Sequence, residues 1–85
     1  MAIVNIRGKH RHVGTGADYT YRASFDGYGP DILFKALIPV PARGKVLHVE
    51  RVLHIDLATD NAVDAVRRTM RAFIDATDFQ TVECD

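Results

Sequence analysis

The segment Asp18-Tyr19-Thr20-Tyr21-Arg22-Ala23-Ser24-Phe25 alternates apolar and polar residues without a break. Side chains two residues apart lie on the same side of a β-strand, so this spacing predicts a half-buried strand with one aromatic face. The other face then carries Thr20, Arg22 and Ser24. A half-buried strand needs neighbours, and the sequence on both sides of it supplies them.

Two further strands are predicted before and after this segment. Residues 2–7 are rich in β-branched side chains, and the strand either ends at Gly8 or passes it through a bulge and continues to His12. Residues 32–40 alternate again, with Lys35 on the face opposite the apolar one, beside Leu33 and Leu37.

The ends of the last two strands carry their own signals. Pro39 and Pro41 lack the amide hydrogen that a ladder needs, so the third strand ends there or lies at a sheet edge. Residues 46–57 predict a fourth strand. Because twelve residues are long for a strand, we expect a bend or bulge at residues 50–51.

One helix is predicted over residues 59–77, with Thr59 or Asp60 capping its first amides. At 100° per residue an apolar arc collects on one side. The members of this arc are Ala62, Val63, Val66, Met70, Phe73, Ile74 and Thr77.

The order of these elements predicts an α+β fold. We expect an antiparallel three- to four-stranded β-meander followed by one C-terminal amphipathic helix packed on one sheet face. The chain is then a single domain, 1–85, with strands in 1–57, the helix in 59–77 and an acidic tail in 78–85.

The predicted sheet is wider than the one helix that covers it, and this mismatch predicts self-association. Four strands span about 19 Å, whereas one helix is about 10 Å across. We therefore expect a homodimer or higher oligomer in which a second copy covers the remaining apolar surface. The alternative is a strongly curled sheet that wraps the helix.

The most basic stretch is Arg7-Gly8-Lys9-His10-Arg11-His12, which holds three permanent cations and two histidines but no acid. Its cations are typical of a site that follows a nucleic-acid backbone, while histidine and tyrosine rings offer stacking planes. The predicted anion or nucleic-acid site comprises Arg7, Lys9, His10, Arg11, His12 and Tyr28. Tyr19 and Tyr21 are further stacking candidates, although their large apolar rings would equally be buried in the core of the sheet.

Charge is distributed unevenly, although the formal net charge is zero, which argues against a general nucleic-acid coat protein. Residues 1–22 carry four bases against one acid, and residues 75–85 carry four acids and no base. The two ends either attract each other, within one chain or between copies, or are separately solvated.

Histidines supply the remaining chemical candidates. Each of the pairs His10/His12 and His48/His54 shares a strand face, but Lys9 and Arg11 beside the first pair repel a divalent metal. We therefore predict no metal site, and His48 and His54 are the candidates that remain. With nearby acids they also allow a small hydrolase, although no nucleophile stands beside them in the sequence.

Other functional classes find less support. Cys84 is the only cysteine, so no internal disulfide forms, and no window approaches a membrane span of about 20 apolar residues. We therefore expect a soluble cytoplasmic protein without cofactor or membrane partner. The leading interpretation is a non-catalytic, homo-oligomeric interaction module, with single-stranded nucleic-acid binding as the alternative.

Two partial resemblances accompany this interpretation. The order of strands and helix is similar to that of whirly-type single-strand-binding proteins, which implies the same nucleic-acid alternative. Residues 58–65 resemble the start of the helix in HicB-type antitoxins, but the Pro-Gly-Cys-type turn that precedes that helix is absent here. Neither resemblance assigns a family.

Overall fold

The computed structural model describes residues 3–26, 31–56 and 61–83. Four antiparallel strands form one sheet in chain order, and a helix packs on one face of it, closest to the first two strands. The predicted α+β meander with one C-terminal helix is thereby confirmed, with four strands. The elements are β1 (Ile3–Arg11), β2 (Asp18–Asp26), β3 (Asp31–Val40), a 3-10 turn (Pro41–Arg43), β4 (Lys45–His54) and α1 (Ala62–Ala76).

Strand β1 continues through Gly8, so its predicted end there is wrong. The pairing with β2 is regular on both sides, with Gly8 directly opposite Tyr21, and the predicted bulge is therefore also wrong. The Tyr21 ring lies on this glycine, because a Cβ atom there would be 2.2 Å from the ring. Gly8 provides space for an aromatic side chain of the core.

Strand β3 includes Pro39, which pairs with Val46 of β4. Strand β2 pairs with β3 only over residues 34–37, so no described pairing on that side requires the amide that Pro39 lacks. Strand β4 is regular through Glu50 and Arg51, so the bulge predicted there is wrong. Because β4 ends at His54, it is shorter than expected and needs no bend.

Asn61 caps helix α1. The residues expected to cap it, Thr59 or Asp60, lie outside the described residues. The Asn61 side chain accepts hydrogen bonds from the amides of Val63 and Asp64, at 2.9 and 3.4 Å. The helix buries Ala65, Val66, Met70 and Ile74 against the sheet. Val66, Met70 and Ile74 belong to the predicted apolar arc, whereas Ala65 was not part of that arc and is buried as well.

The core lies between α1 and the sheet face that we call the helix face. Phe34 is 0% exposed on this face, and Tyr21 is 2% exposed. Ile55, which follows β4, and Phe79, which follows α1, join the same buried cluster. The chain thus covers this face with its own residues, and the need for a second copy to cover it does not arise. Self-association itself stays a prediction.

Candidate functional site on the open sheet face

The predicted basic site is divided between the two faces of β1. Alternation along the strand directs Arg7, Lys9 and Arg11 to the face without a helix, which we call the open face. His10 and His12 point to the other side, where they contact the residues that end α1 and follow it. The structure therefore does not bring these five residues together. Tyr28 lies outside the described residues.

His12 is a structural residue that joins the β1–β2 turn to the end of α1. Its Nε2 lies 2.8 Å from the carbonyl oxygen of Thr77, and because a carbonyl only accepts, Nε2 carries the hydrogen. Its Nδ1 accepts the amides of Gly14 and Thr15 at 3.0 and 3.1 Å. The neutral ring thus satisfies every one of these hydrogen bonds. Being only 9% exposed, it has little surface for a ligand.

His10 contacts the acidic end of the chain. Its Nε2 is 2.8 Å from Oδ1 of Asp75, which also accepts the amide of Val13 at 3.0 Å. The hydrogen bond with His10, followed by that from Val13, lowers the pKa of Asp75. The two ends of the chain therefore meet at this pair, through a histidine and not through one of the four bases counted in the sequence. Attraction between the charges of the two ends stays a prediction.

The open face gathers cations on neighbouring strands. Arg7 of β1 lies directly opposite Arg22 of β2, and Lys35 of β3 is diagonal to Arg22. These three residues form what we call the cationic cluster. Like charges directly opposite each other on a sheet destabilise it unless an anion lies between them. Among the ion pairs of the described residues, none involves a side chain of this cluster.

A shallow depression surrounds the cationic cluster. Its volume is about 780 Å³, within the range of about 300–1,000 Å³ that is usual for ligand pockets. Glu50 lies directly opposite Lys35 on β4, and His48 lies opposite Leu37. The polar and apolar side chains that complete the wall are Asn5, Ser24, Leu37, His48 and Glu50.

The other two cations of β1 have an acidic neighbour. Asp18 lies 3.5 Å from the Lys9 ammonium and 3.3 Å from Nε of Arg11. The hydrogen bond from Arg11 is the main reason that the pKa of Asp18 is lowered, and Lys9 adds to it. Because Asp18 partly neutralises this end of the strand, Arg7 and Arg22 carry the strongest uncompensated charge on the face.

The histidine pairs considered for metal binding lie far apart. His48 and His54 are six residues apart on one regular strand, about 20 Å along it. His10 belongs to β1, at the opposite edge of the sheet, and His12 directly follows that strand, so the four rings do not meet. His54 instead contacts Asp31, with Nδ1 and Oδ1 2.8 Å apart. Within the three described ranges, no group of three metal-ligating side chains occurs.

Among the described residues, the candidate nucleophile Ser24 lies apart from the polar residues of β4. Ser24 shares the depression with Glu50 but lies two strands away, about 10 Å, with Lys35 between them. That separation exceeds the hydrogen-bond reach that a nucleophile and its base require.

Tyr19 and Tyr21 belong to the helix face, so they cannot provide stacking planes beside the cations. Tyr19 stacks on Phe79, with ring centroids 4.0 Å apart. Sequence reasoning missed Arg22 and Lys35 as site residues, although alternation had already placed each of them opposite the apolar face of its strand. The signal was the strand order itself, since a meander brings the polar faces of β1, β2 and β3 side by side.

No protein-family model, curated protein or solved structure matches this chain. The described part of the chain also contains no helix long and apolar enough to cross a membrane.

Proposed function

We propose that this protein is a non-catalytic binding module that holds a phosphate-bearing ligand on the open face of its sheet. The observation that carries the proposal is the directly opposed pair of Arg7 and Arg22. Two guanidinium groups at neighbouring strand positions repel each other in the free protein, and a bound anion removes that repulsion. Arginine also suits phosphate because its planar fork donates two parallel hydrogen bonds.

The surroundings of this pair support a ligand site rather than a solvated surface. Lys35 adds a third cation, and the depression gives the anion a concave seat. Leu37, 40% exposed, offers apolar contact beside the charges. The pair has no acidic partner among the described residues, in contrast to Lys9 and Arg11 with Asp18.

Single-stranded nucleic acid is the second candidate ligand, and the row Arg7, Lys9, Arg11 favours it. Residues two apart follow each other at about 7 Å along a strand, so this row presents successive charges to an extended polyanion. The tyrosine and phenylalanine rings of the described sheet lie on the helix face, so they would not stack on bases, and His48 is the ring that borders the depression. We therefore expect contacts to phosphate without reading of the bases.

Binding of two probes tests the proposal. Inorganic tripolyphosphate measures phosphate affinity alone, and a labelled oligothymidylate measured by fluorescence anisotropy adds the polymer. We expect binding that weakens between about 50 and 200 mM salt and that is lost in Arg22→Glu. The matched control is Arg71→Glu, which makes the same charge change on the exposed side of α1 and leaves binding intact.

The two variants also separate the outcomes. Equal loss in R22E and R71E, or no binding of either probe at about 50 mM salt, refutes the phosphate site. Loss of oligothymidylate but not tripolyphosphate in Arg11→Glu identifies the polymer as the ligand. Cytoplasmic location and self-association remain predictions that accompany this proposal.

A further inference from the structure

The two edges of the sheet are protected to different degrees. At the β1 edge, the Arg67 guanidinium of the helix donates to the carbonyl oxygen of Arg7 at 2.8 Å. Three cations along β1 add charge to this edge, a common means of preventing edge pairing. At the β4 edge, ten residues from Lys45 to His54 run without proline or bulge, although Lys45 and Arg51 carry charge there. The Arg51 guanidinium donates to the carbonyl oxygen of Glu50 at 3.0 Å, a contact between neighbours in one strand, unlike the contact from the helix at β1. Such an edge is a template for pairing with another strand.

The sequence of β4 is complementary to itself in one antiparallel register. With Val49 of each chain at a two-fold axis, His48 lies opposite Glu50 of the partner chain, and Val46 lies opposite Val52 of the partner chain. Each of these contacts occurs twice by symmetry. Val52 is 69% exposed in the single chain, so pairing would cover the most exposed aliphatic side chain in the described strands.

Neighbouring registers are less favourable. Slipping by one residue exchanges the two faces of the strand, so only shifts that keep the faces are allowed. The adjacent allowed registers place either Glu50 opposite Glu50 or His48 opposite His48. Glu50 opposite Glu50 is a like-charge pair, which destabilises a sheet. The register with His48 opposite His48 leaves each Glu50 opposite Val46 of the partner chain, so the register centred on Val49 is the one that gives each Glu50 a histidine as hydrogen-bond partner.

We propose that two copies of this chain pair edge to edge through β4 and form one continuous eight-stranded sheet. The second copy is the occupant because another β4 offers Glu50 a histidine and Val52 a valine in the same register. The open faces then become continuous, and the two cationic clusters, each centred on β2, lie five strand spacings or about 24 Å apart. This interface does not depend on phosphate binding, since Arg7 and Arg22 belong to the other half of the sheet.

Sedimentation equilibrium across a concentration series tests the pairing. We expect the mass to rise from 9.5 kDa toward twice that value. His48→Glu places a second carboxylate opposite Glu50 of the partner chain and should weaken association by about tenfold. The control Leu33→Ser, on the open face of the internal strand β3, should leave the association unchanged although Leu33 is also exposed.

A charge-swapped partner makes the test specific for the register. Glu50→Lys combined with Lys35→Glu retains the opposite charges that face each other between β3 and β4, and so protects the fold. Mixed with H48E, this variant should form a heterodimer tighter than either homodimer, because the carboxylate introduced in one chain then faces the ammonium introduced in the other. Circular dichroism of each variant verifies that it is folded.

Three results would overturn the interface. They are a single-chain mass at every concentration up to about 1 mM, association unaffected by H48E, and no preferential heterodimer on mixing. Arg22→Glu, which alters phosphate binding but not the edge, should leave the association unchanged. Loss of association in R22E would indicate face-to-face packing and refute pairing through β4.

Discussion

The two faces of the sheet use the same four strands for different purposes. On β3, Phe34 is fully buried on the helix face, while the next residue, Lys35, is exposed on the open face and lines the depression. The helix face contains the apolar and aromatic residues that stabilise the fold. The open face carries opposed cations that the fold does not need. Alternate residues of each strand therefore serve stability and binding, so a substitution on one face can change one property without the other.

Truncation in the helix face should have the largest effect. Phe34→Ala removes a fully buried ring, and we expect a loss of about 3–5 kcal/mol in the free energy of unfolding. Lys35→Ala, one residue along, should change it by less than about 0.5 kcal/mol. Urea unfolding followed by circular dichroism measures both. Comparable losses of unfolding free energy in the two variants would show that the open face contributes as much to stability as the helix face.

Gly8→Ala should destabilise the chain next most strongly. The new methyl group meets the Tyr21 ring at 2.2 Å, and overpacking of this kind costs about 1–3 kcal/mol. The Tyr21→Ala background removes the ring, so there G8A should be neutral or stabilising. Asn5→Ala, on the open face of the same strand, is the control and should have little effect. Thermal unfolding of the four variants checks the prediction, which fails if G8A is harmless with Tyr21 in place.

Arg22→Glu should stabilise the protein while it abolishes phosphate binding. The change replaces two opposed cations with an opposite-charge pair, for which we expect a gain of about 0.5 kcal/mol. Urea unfolding at low salt measures the gain, and added salt should reduce it. A clear loss of stability would mean that Arg22 has a structural role and that the open face is not independent of the fold.

Acid should have the smallest of these effects, and it concerns the contacts on either side of β1. The pKa values of Asp75 and Asp18 are both lowered, chiefly by hydrogen bonds from His10 and Arg11 respectively. A lowered pKa in the folded state stabilises above the unfolded value of about 3.9, and that stability is lost as the pH falls through the folded value.

Melting curves between about pH 5 and pH 2 should show this loss. Asp75→Asn should have a shallower decline than the unmodified chain, because its side chain no longer titrates while its amide oxygen still accepts from the Val13 amide. Asp18→Asn should differ less, since Asp18 joins residues of one hairpin only. A decline of unchanged steepness in D75N would show that the contact with His10 does not contribute.

Much of the fold follows from local patterns. The alternation in β2 and β3 predicts which side chains are buried, because each strand has one uniformly apolar face. The helix period likewise identifies Val66, Met70 and Ile74. The bulge expected at residues 50–51 was wrong because it depended on an overestimated strand length. Local patterns do not set that length.

The site was less accessible to sequence reasoning because it depends on pairing. The opposition of Arg7 and Arg22 is set by the register of the β1–β2 hairpin, whose turn requires Gly16 in the left-handed region, with a φ of 72°. Strand β1 has apolar residues on both faces near its start, so its sequence alone does not decide whether the histidines or the arginines face the helix. The orientation is set by the contacts of His10 with Asp75 and of His12 with Thr77, each pair being 65 positions apart in the sequence.

Arginine side-chain NMR most directly tests the claim that the open face binds phosphate. In a titration with tripolyphosphate, the Nε–Hε signals of Arg7 and Arg22 should shift together and saturate, while that of Arg71 on the helix stays in place. Equal shifts of all arginine signals, or unmoved signals of Arg7 and Arg22, would contradict the account.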